Sequence, residues 1–407
     1  MLRLYTTLFF LTINKNEHDI FRASLSNLNQ LDWESNFFSN IFYDTREIKM
    51  PFILAGDIGG TKTFLQLVEI SSQGIMPPGE IKTIHEQRYI SAEFRDLVPI
   101  IRQFFIEVEE KTGIKPAPEK ACFAIAGPIV NNTVKLTNLS WLLDASHMEQ
   151  DLGIPHIRLI NDFEAIGYGV LGLTDNDFFV LQAGKFQADA PMAVIGAGTG
   201  LGECFIIRHV DTVRVFPSEG GHTDFAPQSA LEFNLLKYLL AKHNINRVSV
   251  ERVVSGLGII SIYQFLRDSD FTDESPEIAD AVRTWEKELT SNERTVDPNE
   301  YIGKAALEKS DRLSEETMQL FIEAYGSEAG NLALKILPYG GLYIAGGIAP
   351  KIRTLLQSNN FMTSFNNKGR MSSILKNIPV KVIINPKVGL IGAAVHASQS
   401  LLSPMCV

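Results

Sequence analysis

The sequence predicts an α/β protein built from two related halves. Two apolar segments joined by a glycine-rich turn occupy residues 52–68, and the same arrangement recurs at residues 192–207. Both copies are followed by segments whose apolar residues recur at spacings of three and four, as in amphipathic helices. Two related halves that face each other across a cleft are the simplest explanation of this order.

Composition narrows the class of protein. The 407 residues, 45% of them apolar, are enough for a large core and predict two or three domains. The net charge of −10 argues against nucleic-acid binding, since nucleic-acid binders carry a basic surface. Cys122, Cys204 and Cys406 lie far apart, so we expect neither a disulfide framework nor a cysteine zinc site. A reducing compartment, the cytoplasm, is the expected location.

The first 50 residues differ from the rest of the chain in being rich in asparagine and lacking clear periodicity. We predict that residues 1–50 form a poorly ordered N-terminal extension. Their apolar piece, Tyr5–Ile13, is too short to span a bilayer, so no membrane association is expected. An organelle-targeting peptide is the alternative, although no small-residue cleavage site follows the apolar piece.

From Pro51 onward the pattern is regular. In the first half it predicts strands at 52–56, 64–70, 85–90, 121–126 and 157–160, and helices at 94–110 and 146–152. In the second half it predicts strands at 192–195, 204–207, 213–217 and 380–384, and helices at 231–241, 258–266, 317–337 and 389–402. The polar residues 267–299 indicate loop and solvated helix. A further strand ends at a Gly-Gly turn, after which Pro350 indicates a helix start.

The first glycine turn is typical of a phosphate-binding hairpin. Gly59 and Gly60 permit positive φ and close approach of a ligand, so that backbone N–H groups point into one concavity. Asp57 precedes them and is placed to orient magnesium or its bound water. The side chains that would add donors are Thr61, Lys62 and Thr63. The alternative is an ordinary Gly-Gly hairpin.

Several common motifs are absent from the sequence. A P-loop is excluded because Thr61, and not Gly, precedes Lys62. The second turn fails the dinucleotide pattern because Leu201 occupies its sixth position and a strand, not a helix, follows. The G-x-S-x-G and H-E-x-x-H motifs do not occur either, which argues against a serine hydrolase or a zinc protease.

Three separated glycine turns together predict a site for ATP. The first two turns are hairpins that can hold phosphates between two lobes, and the third can accept the adenosine. The residues of the second turn that would contact phosphate are Gly198, Thr199 and Gly200, and the residues of the third turn that would contact the adenosine are Gly346 and Gly347. For the second turn the alternative is again a plain turn, although its four glycines exceed what a plain turn requires.

Phosphoryl transfer from ATP needs a carboxylate that receives the proton of the attacking hydroxyl. Asp162 is the candidate because it follows the apolar strand at 157–160, and ligand sites of α/β proteins lie at such strand ends. Asn161 beside it can donate to a hydroxyl. The alternative is that Asp162 only caps the following helix. Asp57 and Asp224 are rivals for the role of base.

A hydroxyl-rich acceptor needs carboxylate and amide side chains around it. Glu219 and His222 flank a Gly-Gly pair directly after a predicted strand, and Glu251 opens another helical segment. Further candidates for the wall of the acceptor site are Thr137, Asn138 and Trp141. The alternatives are a solvated loop for Glu219, His222 and Glu251, and a plain core position for Trp141.

Seven motifs in sequence resemble those of one family. They are Gly56–Thr61, Leu136–Asn138, Ile160–Phe163, Gly196–Gly202, Pro217–His222, Glu251–Gly256 and Ile344–Ile348. In this order they resemble the bacterial-type glucokinases, which are ATP-dependent members of the hexokinase and actin-like superfamily. The resemblance runs from about Phe52 to about Ala397. The cysteine-rich zinc motif of a related kinase and repressor group is not matched, so no zinc is expected.

The resemblance implies a two-domain actin-like (ribonuclease H-like) α/β fold with duplicated mixed sheets and an ATP and sugar cleft between the domains. The smaller domain would comprise 51–172 plus 385–407, and the larger 173–384. It further implies phosphorylation of glucose at its 6-hydroxyl by ATP with Mg²⁺, and a homodimer. Asp162 would be the general base. The sugar ligands would be Asn138, Asn161, Asp162, Glu219, His222 and Glu251.

The same resemblance assigns the nucleotide site. Its residues would be Asp57, Gly59, Gly60, Thr61, Lys62, Gly198, Thr199, Gly200, Gly346 and Gly347, with Asp57 near Mg²⁺ through water. Lys62 stands where members of the family often have Asn. Two other functions stay open, namely a kinase for another hexose and a non-catalytic actin-like nucleotide switch. A switch has no need for the hydroxyl-binding residues after Pro217.

Overall fold

The computed structural model describes residues 52–70, 81–136, 139–209, 212–290 and 295–399. The predicted extension at residues 1–50 lies outside the described residues, as do Thr137 and Asn138. All described residues belong to one compact unit of the chain. The predicted domain boundaries within that unit therefore stay a prediction.

A five-stranded mixed sheet is formed by the first half of the chain. Its strands are β1 (Phe52–Ile58), β2 (Lys62–Ile70), β3 (Ile81–Ile90), β4 (Lys120–Ile125) and β7 (His156–Asn161). Their order across the sheet is β3-β2-β1-β4-β7. Strand β2 runs antiparallel to both of its neighbours, β1 and β3, whereas β4 and β7 run parallel to β1. The carboxyl ends of β1, β4 and β7 therefore meet at one edge. A separate short pair is formed by β5 (Thr133–Lys135) and β6 (Leu142–Asp144).

The second sheet repeats the first. Its strands are β8 (Phe178–Gln182), β9 (Met192–Ala197), β10 (Leu201–His209), β11 (Thr212–Ser218), β12 (Leu342–Ala345) and β13 (Val380–Ile383). The order β11-β10-β9-β12-β13 has the strand directions of the first sheet, and β8 adds an antiparallel edge. The predicted duplication, with one glycine hairpin in each sheet, is confirmed.

Twelve helices occur in the described ranges. The first half and the chain end contribute α1 (Leu97–Thr112), α2 (Ala145–Leu152), α3 (Asp162–Val170) and α12 (Val388–Gln399). The longer helices of the second half are α4 (Ala230–His243), α5 (Gly256–Asp268), α6 (Pro276–Lys287), α7 (Pro298–Glu308) and α8 (Arg312–Ile336). Three short helices precede β13 and α12: α9 (Arg353–Leu356), α10 (Asn360–Asn366) and α11 (Ser372–Leu375). None of these helices has both the length and the apolar character that spanning a membrane requires.

Local signals explain the bounds of the first helix. The Asp96 side chain accepts a hydrogen bond from the Val98 backbone N–H, which satisfies one of the free donors at the start of α1. Gly113 ends the helix with a φ of 70°, a conformation that glycine adopts without strain. The predicted helix at 94–110 is thus confirmed with its start three residues later.

Two predictions about the second half are wrong. The helix within the polar stretch 267–299 is not a solvated one, because Ile278, Val282 and Trp285 of α6 are buried. Polar residues on the opposite face had masked this apolar stripe. Pro350 does not start a helix either, since the chain runs through turns until α9 begins at Arg353.

Helices α3 and α12 pack together in a core that both sheets share. The apolar cluster around them includes Ala55 and Cys122 from the first sheet, and Val194 and Cys204 from the second. The helices approach closely, because a Cβ at Gly392 of α12 would lie 1.7 Å from the backbone oxygen of Ala165 in α3. Two further clusters lie on the outer faces of the sheets. The cluster that both sheets share connects β1 and β7 to β9 and β10, the two strands of the second hairpin.

Candidate active site

The first hairpin is held by a serine that follows β3. Gly59 donates its backbone N–H to the Lys62 carbonyl at 2.9 Å, which closes the turn. Ser91 donates its hydroxyl to the Gly59 carbonyl at 2.9 Å and its backbone N–H to the Thr61 carbonyl at 3.0 Å. These hydrogen bonds fix the turn of the first hairpin to Ser91. The side chains of Thr61 and Lys62 are exposed.

Two expectations about this hairpin are wrong. Thr63 is fully buried and its hydroxyl lies 3.1 Å from that of Ser91, so it is used inside the protein and is no phosphate donor. Gly59 and Gly60 do not adopt positive φ. Glycine is needed at Gly59 for space, because a Cβ there would lie 3.1 Å from the Lys62 carbonyl oxygen.

Asp57 is the last residue but one of β1, the central strand of the first sheet, and it carries an ionisable group. Burial, together with the negative charge of Asp162, raises its pKa to about 6, although the positive charge of Arg88 acts in the opposite direction. The first turn of α12 lies beside this carboxylate, since a Cβ at Gly389 would be 3.7 Å from Asp57 Oδ2. Asp57 and Asp162, predicted from separate motifs, are thus brought together.

Asp162 is the first residue of α3, directly after β7. Asn161 caps this helix, because its Oδ1 accepts from the backbone N–H groups of Phe163 at 2.9 Å and Glu164 at 3.3 Å. The alternative that Asp162 serves only as the helix cap is therefore wrong. Burial raises the pKa of Asp162, while the Phe163 N–H that it accepts works against this shift. A carboxylate with a raised pKa is a better proton acceptor than a solvated one.

The second hairpin is anchored by a different part of the chain. Within its turn the Gly198 N–H donates to the Gly200 carbonyl at 2.8 Å. The Gly198 carbonyl accepts from Gly256, the first residue of α5, also at 2.8 Å. Glu251 accepts the Leu201 N–H at 2.9 Å through Oε2, and this oxygen fills the space beside Gly200. No ionisable side chain belongs to the turn itself.

Phe163 joins the two sheets beside Asp162. Gly196 and Gly202 are paired across β9 and β10, and a Cβ at Gly202 would lie 2.2 Å from the Phe163 ring. A Cβ at Gly196 would lie 2.9 Å from the same ring. These two glycines make room for an aromatic side chain. Of the four glycines in the second turn, only Gly198 and Gly200 therefore remain as candidates for phosphate contact.

Three of the six predicted sugar ligands form one group. His222 Nε2 lies 3.7 Å from Glu219 Oε2, and His222 Nδ1 lies 4.0 Å from Glu251 Oε1. Glu219 and His222 are exposed, while Glu251 is partly buried because it also holds the second hairpin. Glu251 lies in a short 3-10 helix, Val250–Arg252. A hydroxyl-bearing ligand would therefore meet three polar side chains here.

Other predicted residues lie elsewhere or serve the core. Asp224 is exposed and paired with Arg247 at 2.9 Å, so it is no rival for the role of base. Trp141 is buried and donates its ring N–H to the Phe94 carbonyl, which makes it a core residue. Asn138 lies outside the described residues.

The third glycine turn lies against the end of β9. Gly346 has a φ of 82°, and a Cβ there would lie 2.2 Å from the Ala197 carbonyl oxygen. The space beside Gly347 is open, because no atom lies within 4 Å of its Cβ position. The second and third turns thus lie side by side, as contact with a single nucleotide requires.

Sequence reasoning missed a buried carboxyl group beneath the sugar ligands. Glu203 of β10 is 2% exposed and packs against Gly220, where a Cβ would lie 1.8 Å from Glu203 Oε2. Burial, together with the nearby Glu328, raises its pKa to about 7, although the positive charge of Lys335 acts in the opposite direction. The signal that could have revealed Glu203 is its charge, because it stands among the alternating apolar residues of β10.

The donor set fits magnesium held mainly by a nucleotide. Within the described ranges no group of three or more His, Cys, Asp or Glu side chains could enclose a metal ion. Asp57 is the carboxylate beside the first hairpin. Mg²⁺ commonly uses one or two protein carboxylates together with phosphate oxygens and water, so these residues fit an ion that arrives with its nucleotide.

Comparison with known proteins gives one consistent result. A family model described as Glucokinase matches residues 54–400. The chain is 62% identical over 351 residues to a glucokinase of Nostoc punctiforme, covering 86% of this chain and 100% of that protein. A solved glucokinase from an Antarctic psychrotroph is 30% identical with a TM-score of 0.71, covering 85% of this chain and 98% of that one. A ROK family glucokinase from Streptomyces griseus, solved with glucose and AMPPNP, is 19% identical with a TM-score of 0.56. The match covers 86% of this chain and 99% of that one, and it supports the fold alone.

Proposed function

The chain belongs to the glucokinase family and has its two-domain actin-like fold, and we propose that it transfers the γ-phosphoryl group of ATP to the 6-hydroxyl of glucose with Asp162 as general base. The oxygen of the 6-hydroxyl attacks the γ-phosphorus, its proton passes to the Asp162 carboxylate, and ADP leaves as the bond to its β-phosphate oxygen breaks. The products are glucose 6-phosphate and ADP, as in the first step of glycolysis.

The position of Asp162 is the observation that carries this proposal. It stands at the carboxyl end of β7, next to the Asp57 carboxylate and, through Phe163, against the second hairpin. A base for phosphoryl transfer must lie within hydrogen-bond reach of the acceptor hydroxyl while that hydroxyl faces the γ-phosphate. Asn161 has its oxygen committed to the helix cap, so its amide N–H groups are what it can offer to a sugar hydroxyl.

The nucleotide would be held by backbone and by a few side chains. Gly59, Gly60 and Thr61 would face the phosphates from the first sheet, with Lys62 as an additional cation. Gly198, Thr199 and Gly200 would face them from the second sheet, and the open side of Gly346-Gly347 would accept the adenosine. Mg²⁺, held by Asp57 through water and by phosphate oxygens, would neutralise charge that develops during transfer.

Glucose would be bound by Glu219, His222 and Glu251, together with Asn161 and Asp162. Glu251 has one oxygen near His222 and the other on the Leu201 N–H of the second hairpin. Sugar and nucleotide would therefore contact neighbouring parts of one hydrogen-bonded unit. Asn138 is assigned to the sugar site by its motif alone.

The same proposal covers the remaining expectations. We propose that the segments 51–172 with 385–407 and 173–384 act as two domains that close on glucose and exclude water, which would otherwise accept the phosphoryl group. We further propose a cytoplasmic homodimer. Size-exclusion chromatography with light scattering tests the oligomeric state, and a mass close to the 45.2 kDa of one chain would contradict the dimer.

A substrate panel tests the proposed reaction. ADP release should require glucose and Mg²⁺, and mannose and fructose should give lower kcat/KM than glucose. Higher kcat/KM with another hexose would contradict glucose as the preferred substrate while leaving the kinase assignment intact. ADP release that does not depend on any sugar would contradict a kinase and favour a nucleotide switch.

A further inference from the structure

A basic cavity lies at the edge of the first sheet that is opposite the candidate active site. Its volume is about 360 Å³, within the range of small-molecule sites. The basic side chains that line it are Lys120, His156 and Arg158. Lys120 is the first residue of β4 and His156 the first of β7. Asp162 follows the other end of β7, so a six-residue strand of about 20 Å separates the two sites.

The sheet register places the three basic side chains on one face. Lys120 pairs with His156, and Cys122 pairs with Arg158 on the neighbouring parallel strands. Residues two apart on a strand point to the same side, so the three side chains converge. The positive charges of Arg158 and Lys120 both act on His396 of α12, whose pKa is lowered to about 4 mainly by burial. Both cations therefore lie above the same part of α12.

These charges have little compensation from the protein. Among the described residues, none of these three basic side chains makes an ion pair with a carboxylate within 4.0 Å. Glu119 adjoins Lys120 in sequence and offsets part of its charge. Glu149 lines the cavity, but one of its oxygens accepts the Ile157 N–H at 2.8 Å. Unpaired cations in a chain of net charge −10 indicate a local preference for an anion.

The chemistry of the cations selects the kind of anion. The planar guanidinium of Arg158 can donate two parallel hydrogen bonds to a phosphate, and Lys120 adds a compact ammonium donor. His396 also has a buried Nδ1 without a hydrogen-bond partner beneath them. We propose that this cavity binds a small phosphate-bearing anion at a site separate from the active site.

Calorimetric titration tests the proposal. Full-length protein would first be saturated with glucose and AMPPNP, so that the candidate active site is filled, and then titrated with inorganic phosphate or with glycerol 3-phosphate. Binding of both identifies the phosphate group as the recognised feature, and tighter binding of glycerol 3-phosphate identifies a phosphate ester as the natural ligand. No binding of either compound would overturn the proposal.

A pair of matched variants locates the binding. The double substitution Lys120→Gln with Arg158→Gln should raise the Kd for phosphate about 10-fold to 100-fold, because two charge-assisted hydrogen bonds are lost. The control, Lys304→Gln with Lys351→Gln, removes the same charge from exposed positions that pair with Glu308 and Glu300, and should leave the Kd unchanged. Equal affinity in wild type and in the first variant would contradict the assignment.

A spectroscopic measurement on the unmodified protein is independent of how the variants fold. The imidazole signals of His396 should shift on addition of phosphate, because an anion beside Arg158 and Lys120 offsets the charges that act on this ring. Signals of His222, at the proposed sugar site, should stay in place when glucose and AMPPNP are already bound. An unmoved His396 signal would overturn the proposal.

Discussion

The two glycine hairpins lie in sheets of the same strand order, yet their surroundings differ. The first hairpin follows Asp57 and has Asp162 nearby, so two carboxyl groups with raised pKa stand at the strand ends of its sheet. The second hairpin has Ala197 where the first has Asp57, and its turn carries no ionisable side chain. It is held by the N-terminus of α5 and by Glu251.

This difference separates two tasks. Backbone N–H groups of either hairpin can hold phosphate oxygens, and this use needs only a glycine turn. Proton transfer needs a carboxyl group at the strand ends beside the phosphates, and Asp57 and Asp162 have this position in the first sheet. We infer that duplication of the fold provided two phosphate-binding elements, whereas the chemistry is confined to one of them.

The largest predicted effect comes from the carboxyl group of the first sheet. Asp162→Asn keeps an oxygen that can accept the Phe163 N–H but removes the proton acceptor, so kcat should fall about 10³-fold. Steady-state kinetics with glucose and ATP measure this effect. The control is Asp224→Asn, an exposed carboxyl group paired with Arg247, which should stay within about 2-fold of wild type. Similar losses in both variants would contradict the comparison.

A smaller effect is predicted where the two sheets meet. Gly202→Ala places a methyl group against the Phe163 ring, so it should lower the free energy of unfolding by about 3 kcal/mol. The double variant with Phe163→Leu should recover part of that loss, because the smaller side chain vacates the space. Chemical denaturation measures both values.

Gly303→Ala serves as control for the glycine substitution. Gly303 lies inside α7 with no atom within 4 Å of its Cβ position, so alanine there should stabilise the protein slightly. Additive effects of Gly202→Ala and Phe163→Leu would show that the ring and the glycine do not interact.

A pH-dependent effect is predicted beneath the sugar loop. The pKa of Glu203 is raised from 4.5 to about 7, so the folded state binds its proton more tightly than the unfolded state. The free energy of unfolding should therefore decrease as pH rises from about 4.5 through about 7. Glu203→Gln removes the ionisation and should be more stable than wild type at pH 8 by roughly 2 kcal/mol, with little difference at pH 4.5.

Denaturation at several pH values measures this dependence. Glu110→Gln, the same chemical change at an exposed position of α1, should leave the wild-type slope intact. If Glu203→Gln were less stable than wild type at pH 8, the carboxyl group would be charged and favourable in the folded protein.

The smallest effect on stability is predicted for the second hairpin. Gly198→Ala meets no atom within 4 Å and requires no positive φ, so the free energy of unfolding should change by less than about 0.5 kcal/mol. Thermal and chemical unfolding measure this value. A larger loss would mean that Gly198 serves the fold, and the hairpins would then differ less than we propose.

The sequence was sufficient to predict the elements whose signals are local. Glycine turns between apolar strands identified both hairpins, and their recurrence predicted the duplicated sheets that the structure confirms. Asp162 was chosen as the candidate base because it directly follows an apolar strand. Each hairpin, and the position of Asp162 after its strand, depends on residues that are close in sequence, where periodicity and turn chemistry are informative.

The remaining features depend on contacts between distant parts of the chain. The Thr63 hydroxyl forms a hydrogen bond with the Ser91 hydroxyl. Gly202 leaves room for the Phe163 ring, and Glu203 lies near Glu328. Sequence patterns indicate which face of an element is apolar, but not which side chain of another element will occupy it. The motif Gly196–Gly202 was therefore recognised as a whole, but the packing role of Gly196 and Gly202 against Phe163 was not predicted.

Nucleotide affinity in two variants is the most direct test of the separation between chemistry and binding. AMPPNP would be titrated calorimetrically into Asp162→Asn and Gly198→Ala, both saturated with glucose. We predict that Asp162→Asn binds AMPPNP with the wild-type Kd, whereas Gly198→Ala raises the Kd about 10-fold because its methyl group blocks the approach of phosphate to the backbone. Wild-type affinity in Gly198→Ala, together with weakened affinity in Asp162→Asn, would contradict the account.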